Sequence, residues 1–548
     1  MSPDRINKLY KLLSGHPDLT RLFSDNLLDE ANLFLASVND ATLKGQARIA
    51  CEGTSESHDE LLKRFSFLPE DTTKDPSSVF RNITNHLFSR APLWRSPNLQ
   101  YNVGAPVNAV SSILYGTAMD LNIFNINDGL SGNAIVAEHA VIRILAELAG
   151  LDPNSAAGFF TFGGTATNLY ALKLALQKNI PGLRTGGLST KVKIALTADA
   201  HFSHFRILDW LSIGTDNALV LAAQNDHTTD VSASRAELEE ALSNGFRIPL
   251  ILLNGGTTYD HAIDSISEFA QLRDDLVEKY KLDYVPHIHV DSVIGWSWLF
   301  FRTYDFEKNP LEIEAHTLEL INQQVGYIEQ IRMADSWGVD FHKGVGSCPI
   351  PASVIMINNR RDLQSLTTKE LGLHQLANEY STFSPVDFTL ESSRPAGAPL
   401  AALGALHALG IKGFQTHLAI LMQSSQLFRE LIASLDREDI QILNPYSRGY
   451  VTMLRLHPAI NPQEKDNTYL KSFFKFDKEN RMKQGDGVEY SYTSQYTVDA
   501  SGKKFDALKF YPTSPLITPQ HIEKAVETLV KQKELFDQTF LNYQPYQL

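Results

Sequence analysis

Ala334-Asp-Ser-Trp-Gly-Val-Asp-Phe-His-Lys343 ends in a lysine that directly follows a histidine. A lysine ammonium is normally charged and solvated. To act as a nucleophile near neutral pH it must be destabilised by burial or by neighbouring positive charge. The lysine reads as part of a turn entered from an acidic, Ser-containing segment. The apolar run beyond it, Ala352-Ser-Val-Ile-Met-Ile357, reads as a buried strand and places Lys343 between core segments. An isolated His-Lys pair is usually a surface loop, so the case rests on partners supplied upstream.

Working outward, the chain from about residue 130 alternates between helix and strand patterns. Ala157–Phe162, Lys193–Thr197, Ala218–Ala222, Leu250–Leu253 and Val285–Val290 read as strands. Between them lie helical stretches: one follows Gly163-Gly-Thr165, one opens near His201, and one spans Ser265 to Tyr280. Another begins at Ser234, where Glu237 three residues on completes a capping box, and stops at Gly245. Such alternation predicts a largely parallel sheet covered on both faces. Ligands of such sheets gather beyond the carboxyl ends of the strands. That rule selects Gly163–Thr165, Ala200–His201, Gly255–Tyr259 and Asp291–Gly295.

Those loops carry chemistry. Gly163-Gly-Thr-Ala-Thr-Asn168 joins a strand to a helix. Glycines admit an anion to the backbone, the helix N-terminus offers free N–H groups, and Thr165 adds a hydroxyl, which together make a phosphate cup. As a lone motif it is equally a helix-entry turn. Asp291 ends a strand, and a carboxylate buried there needs a cationic or hydrogen-bonding partner, such as a protonated pyridine nitrogen. His201, in Asp199-Ala-His-Phe-Ser-His204, can stack on an aromatic ring while an edge nitrogen bonds a substrate group. Phosphate cup, imidazole, carboxylate and lysine, in that order and each at or near a strand end, describe a site for pyridoxal 5′-phosphate with Lys343 as the Schiff-base lysine.

With those residues in view, the sequence resembles the group II pyridoxal-phosphate-dependent amino acid decarboxylases, the aromatic amino acid, glutamate, tyrosine and aspartate decarboxylases. The matching stretches are Phe162–Leu169, Ala200–Ser203, Gly256–Thr258, His289–Asp291, Ala334–Ser336 with Asp340–Lys343, and Thr389–Gly397. They span roughly residues 100 to 430. The resemblance implies an α/β protein of PLP-dependent transferase fold type I: a large domain with a mostly parallel seven-stranded sheet (126–405), a small C-terminal α+β domain (406–548) and a helical N-terminal arm (1–125). It implies that Lys343 holds the cofactor, that His201 stacks on its ring and that Asp291 pairs with the pyridinium. Gly164, Thr165, Ser336 and His342 then hold the phosphate or its surroundings, with Thr258 near the ring substituents. The Cα proton donor of such enzymes is a tyrosine or histidine on a loop from the other subunit, which points to Tyr380, with His374 behind it, in 359–385. The implied reaction is decarboxylation of an L-amino acid to its amine, in a homodimer with sites at the interface and the arm as clasp. Two departures stand out. Phe341 replaces the usual proline, and Val293 follows Ser292 where small residues are usual.

Substrates stay open between aromatic and acidic amino acids, with a lean toward small or acidic ones; Arg394 and His204 could each meet an anionic side chain. A carbon–carbon lyase or an aldehyde-forming oxidative decarboxylase would use the same cofactor. A remote alternative reads His287, His289 and Asp291, which share one strand face, as a metal site; another is a catalytically dead binding protein. The 43% hydrophobic and 20% charged composition is that of a globular protein, and a formal charge of −14 argues against nucleic-acid binding. Two cysteines, Cys51 and Cys348, suit a reducing compartment. No stretch approaches a membrane span and the N-terminus lacks an apolar leader core, so a cytoplasmic protein is expected.

Overall fold

Apolar runs of four or five residues, bounded by turns, form the strands of a central sheet. A computed structural model describes residues 31–36, 56–66, 68, 75–88, 91–367, 384–459, 467–484, 488–498 and 504–540. The chain divides between Leu99 and Gln100 into two compact units. The first contains helices His58–Phe65 and Pro76–Leu87, the former closed by a Ser57–Glu60 capping box.

The second unit contains a seven-stranded sheet: β1 (Ala157–Thr161), β2 (Ile194–Thr197), β3 (Ala218–Leu221), β4 (Leu250–Asn254), β5 (His287–Asp291), β6 (Ser336–Asp340) and β7 (Ser353–Ile357). Their order is β1-β7-β6-β5-β4-β2-β3. Only β7 runs against its neighbours, so the other six carboxyl ends share one edge. Every strand but the edge strand β3 is buried along its length, as expected of a sheet covered on both faces.

The covering helices of this unit are α1 (Ala109–Asp120), α2 (Ile135–Leu148), α3 (Gly164–Asn179), α4 (Ser203–Trp210), α5 (Val231–Ser243), α6 (Ile266–Tyr280) and α7 (Ala315–Ile328). Helix α8 (Gly397–Ser434) continues through the expected boundary at 405 and is broken at Gly410, whose φ is +57°. Its first half is apolar on most faces, which hides the amphipathic period that marked only its second half. Beyond it, β8 (Ile440–Ile442), β9 (Thr452–Leu456), β10 (Glu489–Val498) and β11 (Lys504–Phe510) pair antiparallel in the order β10-β11-β9-β8. Helices α9 (Thr468–Gln484) and α10 (Pro519–Thr539) belong with them around Phe428, Leu454, Phe473, Leu508 and Phe536. No helix of the described residues is long and apolar enough to cross a membrane.

Two local readings are corrected. Helix α5 starts at Val231, capped by the Asp230 carboxylate on the Ala233 N–H; Ser234 is inside it and bonds the Asp230 carbonyl. Ser336–Asp340, read as the segment that enters the turn and given no secondary structure of its own, is the buried strand β6. Its polar ends and glycine conceal a strand, yet Gly338 is there for close packing. A Cβ on Gly338 would stand 2.9 Å from Thr167 Oγ1 and 3.2 Å from Val293 Cγ1. Val293 thus spends its extra bulk on the space left by Gly338 and Gly164.

Arg394 is also structural. It forks onto Glu138 at 2.7 and 3.2 Å and donates to the carbonyls of Phe160 and Asn125, while Glu138 accepts from the Phe160 backbone N–H and the Asn125 side-chain Nδ2. Both side chains are buried and all their bonds are made inside the protein, so Arg394 is not available to a substrate. Glu138→Ala would strand the guanidinium. The expected loss is about 3–5 kcal/mol, read as a lowered urea midpoint, and an unchanged midpoint would refute this role.

Candidate active site

Lys343 lies three residues beyond β6. The Tyr101–Pro106 loop straps its turn: Gly104 pairs with Lys343, Ala105 N–H donates to the His342 carbonyl (3.0 Å), and Gly344 N–H to that of Val103 (2.7 Å). Phe341 belongs to this turn by necessity. Its N–H donates to Ala352 at 2.8 Å, which a proline could not do, and its ring packs on Trp296 at 4.7 Å between centroids.

The lysine is not held neutral, contrary to the sequence-based requirement. Its Nζ stands 2.9 Å from Oδ2 of Asp340, a fully buried carboxylate that also accepts Ser353 Oγ at 2.5 Å. Burial favours the free amine, but Asp340, and more weakly Asp291, outweigh it and keep the lysine above its ordinary pKa. Asp340 Oδ2 also packs on the first residue of α3: a Cβ on Gly164 would be 2.7 Å from it.

Asp291 ends β5 on the same edge, buried. Its Oδ2 accepts His204 Nε2 at 2.7 Å and Asn168 Nδ2 at 2.8 Å. Burial works against the anion, but His204, Lys343 and Asn168 hold the carboxyl well below the usual carboxylate range. Oδ1 is buried without a hydrogen-bond partner among the described residues. His201 is nearby, and burial pulls its pKa down to about 4, with Asp291 opposing and Lys343 assisting. Ser203 N–H approaches its Nδ1 at 3.3 Å, which makes Nδ1 the acceptor and leaves Nε2 as the N–H donor.

The arrangement fits pyridoxal phosphate on three counts. Asp291 Oδ1 is an orphaned anionic acceptor for a protonated ring nitrogen. Helix α3 has no side-chain cap, and Gly163, Gly164 and the exposed Thr165 leave its first N–H groups open to an anion. Lys343 offers a primary amine. Thr258, half-buried, follows β4 on this same edge, and His342, half-buried, lies 3.7 Å from Asp340 Oδ2.

Other expectations fare differently. Ser336 begins β6 at the opposite edge, and its hydroxyl is taken by His287 Nε2 and His289 Nδ1, both at 2.7 Å. It is therefore not among the phosphate cup's residues. His204 is committed to Asp291 and is not free for a substrate anion. Tyr380 and His374 lie outside the described residues. The metal reading meets filled valences: His289 bonds Ser336 and Asn168, and His287 bonds Ser336. His287, Asp335 and Asp362 do come together, but Lys178 Nζ lies among them, 2.6 Å from Asp362, 3.8 Å from Asp335 and 3.5 Å from His287.

Three residues escaped the sequence reading. Asn168 was quoted with the cup, one helical turn beyond Gly164, a spacing that puts both on one face. Asp340 was read only as part of the motif. Lys509, on β11, is buried. Its Nζ donates to Asn102 Oδ1 at 3.0 Å and lies 5.2 Å from the Tyr259 ring. Those residues belong to the loop strapping Lys343 and to the loop after β4, so a buried ammonium without a carboxylate partner among the described residues lies against two loops of the candidate site.

No family model matches the chain. It is 28% identical to the L-2,4-diaminobutyrate decarboxylase of Rhizobium meliloti (strain 1021) over 380 residues, 68% of this chain and 67% of the relative. It is also 28% identical to the acidic amino acid decarboxylase GADL1 of Homo sapiens, over 172 residues and 31% of each chain. Among solved structures, mouse CSAD in apo form superposes with a TM-score of 0.75 at 18% identity, covering 93% of this chain and 99% of that one. Oryza sativa TDC with PLP and tryptamine gives 0.74 at 15%, covering 93% and 97%. At these identities the structures establish the fold. Taken with the sequence likeness over two thirds of the chain, they make this protein similar in fold and in sequence to amino acid decarboxylases.

Proposed function

We propose that this chain binds pyridoxal 5′-phosphate on Lys343 and removes the α-carboxylate of an acidic L-amino acid as carbon dioxide, leaving the amine. The observation that carries the reading is the orphaned Oδ1 of Asp291 at the strand edge that also bears Lys343. When bound, the cofactor supplies an electron sink for the bond that breaks. Asp291 keeps the ring nitrogen protonated by staying anionic in the core. Gly164, Thr165 and His342 hold the phosphate, His201 covers the ring, and Thr258 borders its substituents. Ser336 acts at a distance, through His289 and Asn168, on the orientation of Asp291.

The substrate class follows from where positive charge is useful. A cation on the departing α-carboxylate would stabilise the ground state more than the transition state and slow the reaction. Lys509 is therefore assigned to the distal carboxylate of an acidic side chain. A distal ammonium, as in 2,4-diaminobutyrate, would be repelled there. Tyr380 is the proposed donor of the proton to Cα. The reading extends to a homodimer with shared sites clasped by the N-terminal arm, and to the cytoplasm. Cys348 suits a reducing compartment: it is buried, and burial pushes its thiol up to about 12, away from thiolate chemistry.

Three measurements bear on this. The purified protein with added pyridoxal phosphate is expected to show a visible band that borohydride bleaches, with the pyridoxyl group on Lys343. Lys343→Ala should lose roughly a thousandfold or more of carbon dioxide release, and an unchanged rate would sink the mechanism. A screen of glutamate, aspartate, 2,4-diaminobutyrate and tyrosine should favour the acids. Aldehyde in place of amine would favour the oxidative route.

Asp291→Asn should keep the label on Lys343 yet lower kcat by roughly a hundredfold or more, because an amide cannot favour the charged pyridinium. Retention of full kcat would remove Asp291 from its role.

Burial lowers the Lys509 pKa to about 8. The side chain is thus an ammonium below pH 8 and loses its charge above it. KM for an acidic substrate should accordingly rise as pH passes through 8. Lys509→Arg should move that rise beyond pH 9, and Lys509→Gln should abolish it while raising KM at pH 7. A KM profile identical in all three proteins would refute the assignment.

A further inference from the structure

The site contains a charge conflict. The helix end proposed to receive a phosphate is already faced by a carboxylate, Asp340, whose Oδ2 sits against Gly164. The same oxygen is 2.9 Å from the nitrogen that must attack the cofactor's aldehyde carbon, and that nitrogen is an ammonium with no lone pair to attack with. One proton is in the wrong place for both purposes.

We propose that Asp340 takes the proton of Lys343 as the cofactor arrives, and so acts as the base of cofactor capture. The proposal rests on Lys343 being the cofactor lysine. An N–H bond of the ammonium breaks, and its proton forms an O–H bond on Asp340 Oδ2. The amine then adds to the aldehyde carbon with release of one water, and no outside proton acceptor is needed. The transfer also resolves the conflict at the cup. A carboxylate repels a phosphate dianion, whereas the neutral acid presents an O–H donor to it. Oδ1 keeps its bond from Ser353 throughout, so the carboxyl group need not turn. The other titratable groups around the pair are His342 on the same turn, 3.7 Å from Oδ2, Asp291 from β5, His201 before α4, and His204 behind Asp291. Among the described residues, the ion-pair contact of the lysine nitrogen is with Asp340 Oδ2, at 2.9 Å.

The test uses full-length apoprotein mixed with pyridoxal 5′-phosphate between pH 6 and 9. Its readouts are the growth of the visible band and borohydride mapping of the adduct. In the wild type the proton moves within the pair, while in Asp340→Asn it must leave for solvent. The ratio of wild-type to variant loading rates, which cancels the cofactor's own titrations, should fall with pH, approaching tenfold per unit below the variant lysine's midpoint. A second arm removes the lysine. On binding pyridoxine 5′-phosphate, which lacks the aldehyde, Lys343→Ala should take up about one more proton per site from buffer than Lys343→Ala/Asp340→Asn does. That difference is measured by calorimetry in buffers of differing ionisation enthalpy. Equal proton uptake in the two variants would overturn the proposal even if the lysine of Asp340→Asn titrated below pH 6 and flattened the rate ratio. A pyridoxyl label absent from Lys343 in the wild type would instead overturn the functional reading on which it rests.

Discussion

A one-way chain of hydrogen bonds ends on Asp291, and the site is built around keeping that carboxylate charged. Asp291 Oδ2 can only accept, so Asn168 must point its Nδ2 at it and turn its Oδ1 toward His289. His289 then carries its proton on Nε2 and accepts from Ser336 on Nδ1, and the Ser336 oxygen accepts from His287. Burial lowers His289 to about 3, so it stays neutral and can play both roles. Each tautomer and amide orientation is fixed by the anion at the end. An isolated carboxylate at this depth would be prohibitively costly. With His204 completing Oδ2, the remaining oxygen is held ready at no further reorganisation, which is the condition for electrostatic preorganisation.

This explains which parts of the protein could be read from its sequence. The strand–helix alternation was legible because buried parallel strands are continuous apolar runs, and the carboxyl-edge rule then found Gly164, His201, Thr258 and Asp291. The chain behind Asp291 was not legible. His287, His289 and Ser336 have the alternation and residue types of a metal site, and only three-dimensional neighbours show their valences filled by one another. Strand β6 was hidden for the same reason: two of its five residues, Ser336 and Asp340, are polar groups serving opposite edges of the sheet. The departures at Phe341 and Val293 stood out against the family pattern. Each fills room made elsewhere, Phe341 by donating a turn hydrogen bond and Val293 by occupying space above two glycines.

Lysine chemistry exposes the limit of residue-type reasoning most sharply. A reactive lysine suggests surroundings that lower its pKa, and burial here does press that way. Two carboxylates overrule it, because at contact distance in a poorly solvated site a charge pair outweighs desolvation of the same group. The resting lysine is therefore well stabilised and unreactive until its partner's charge is removed.

The positive charges of the cleft are then sorted by task. Lys343 is paired, so its charge is spent locally on Asp340 and Asp291. Lys509 is buried and, among the described residues, is bonded to a neutral amide and to no carboxylate, so on the proposed reading its charge is left for the substrate. A lysine desolvated without a counter-ion carries a standing cost, which an incoming carboxylate would repay by restoring a partner. That cost also sets selectivity: a neutral side chain gains nothing from Lys509, and a cationic one meets unscreened repulsion in a site with little water. On the proposed reading, β11 contributes the recognition of the substrate's far end through Lys509, while the seven-stranded sheet contributes the groups that work at its reacting end.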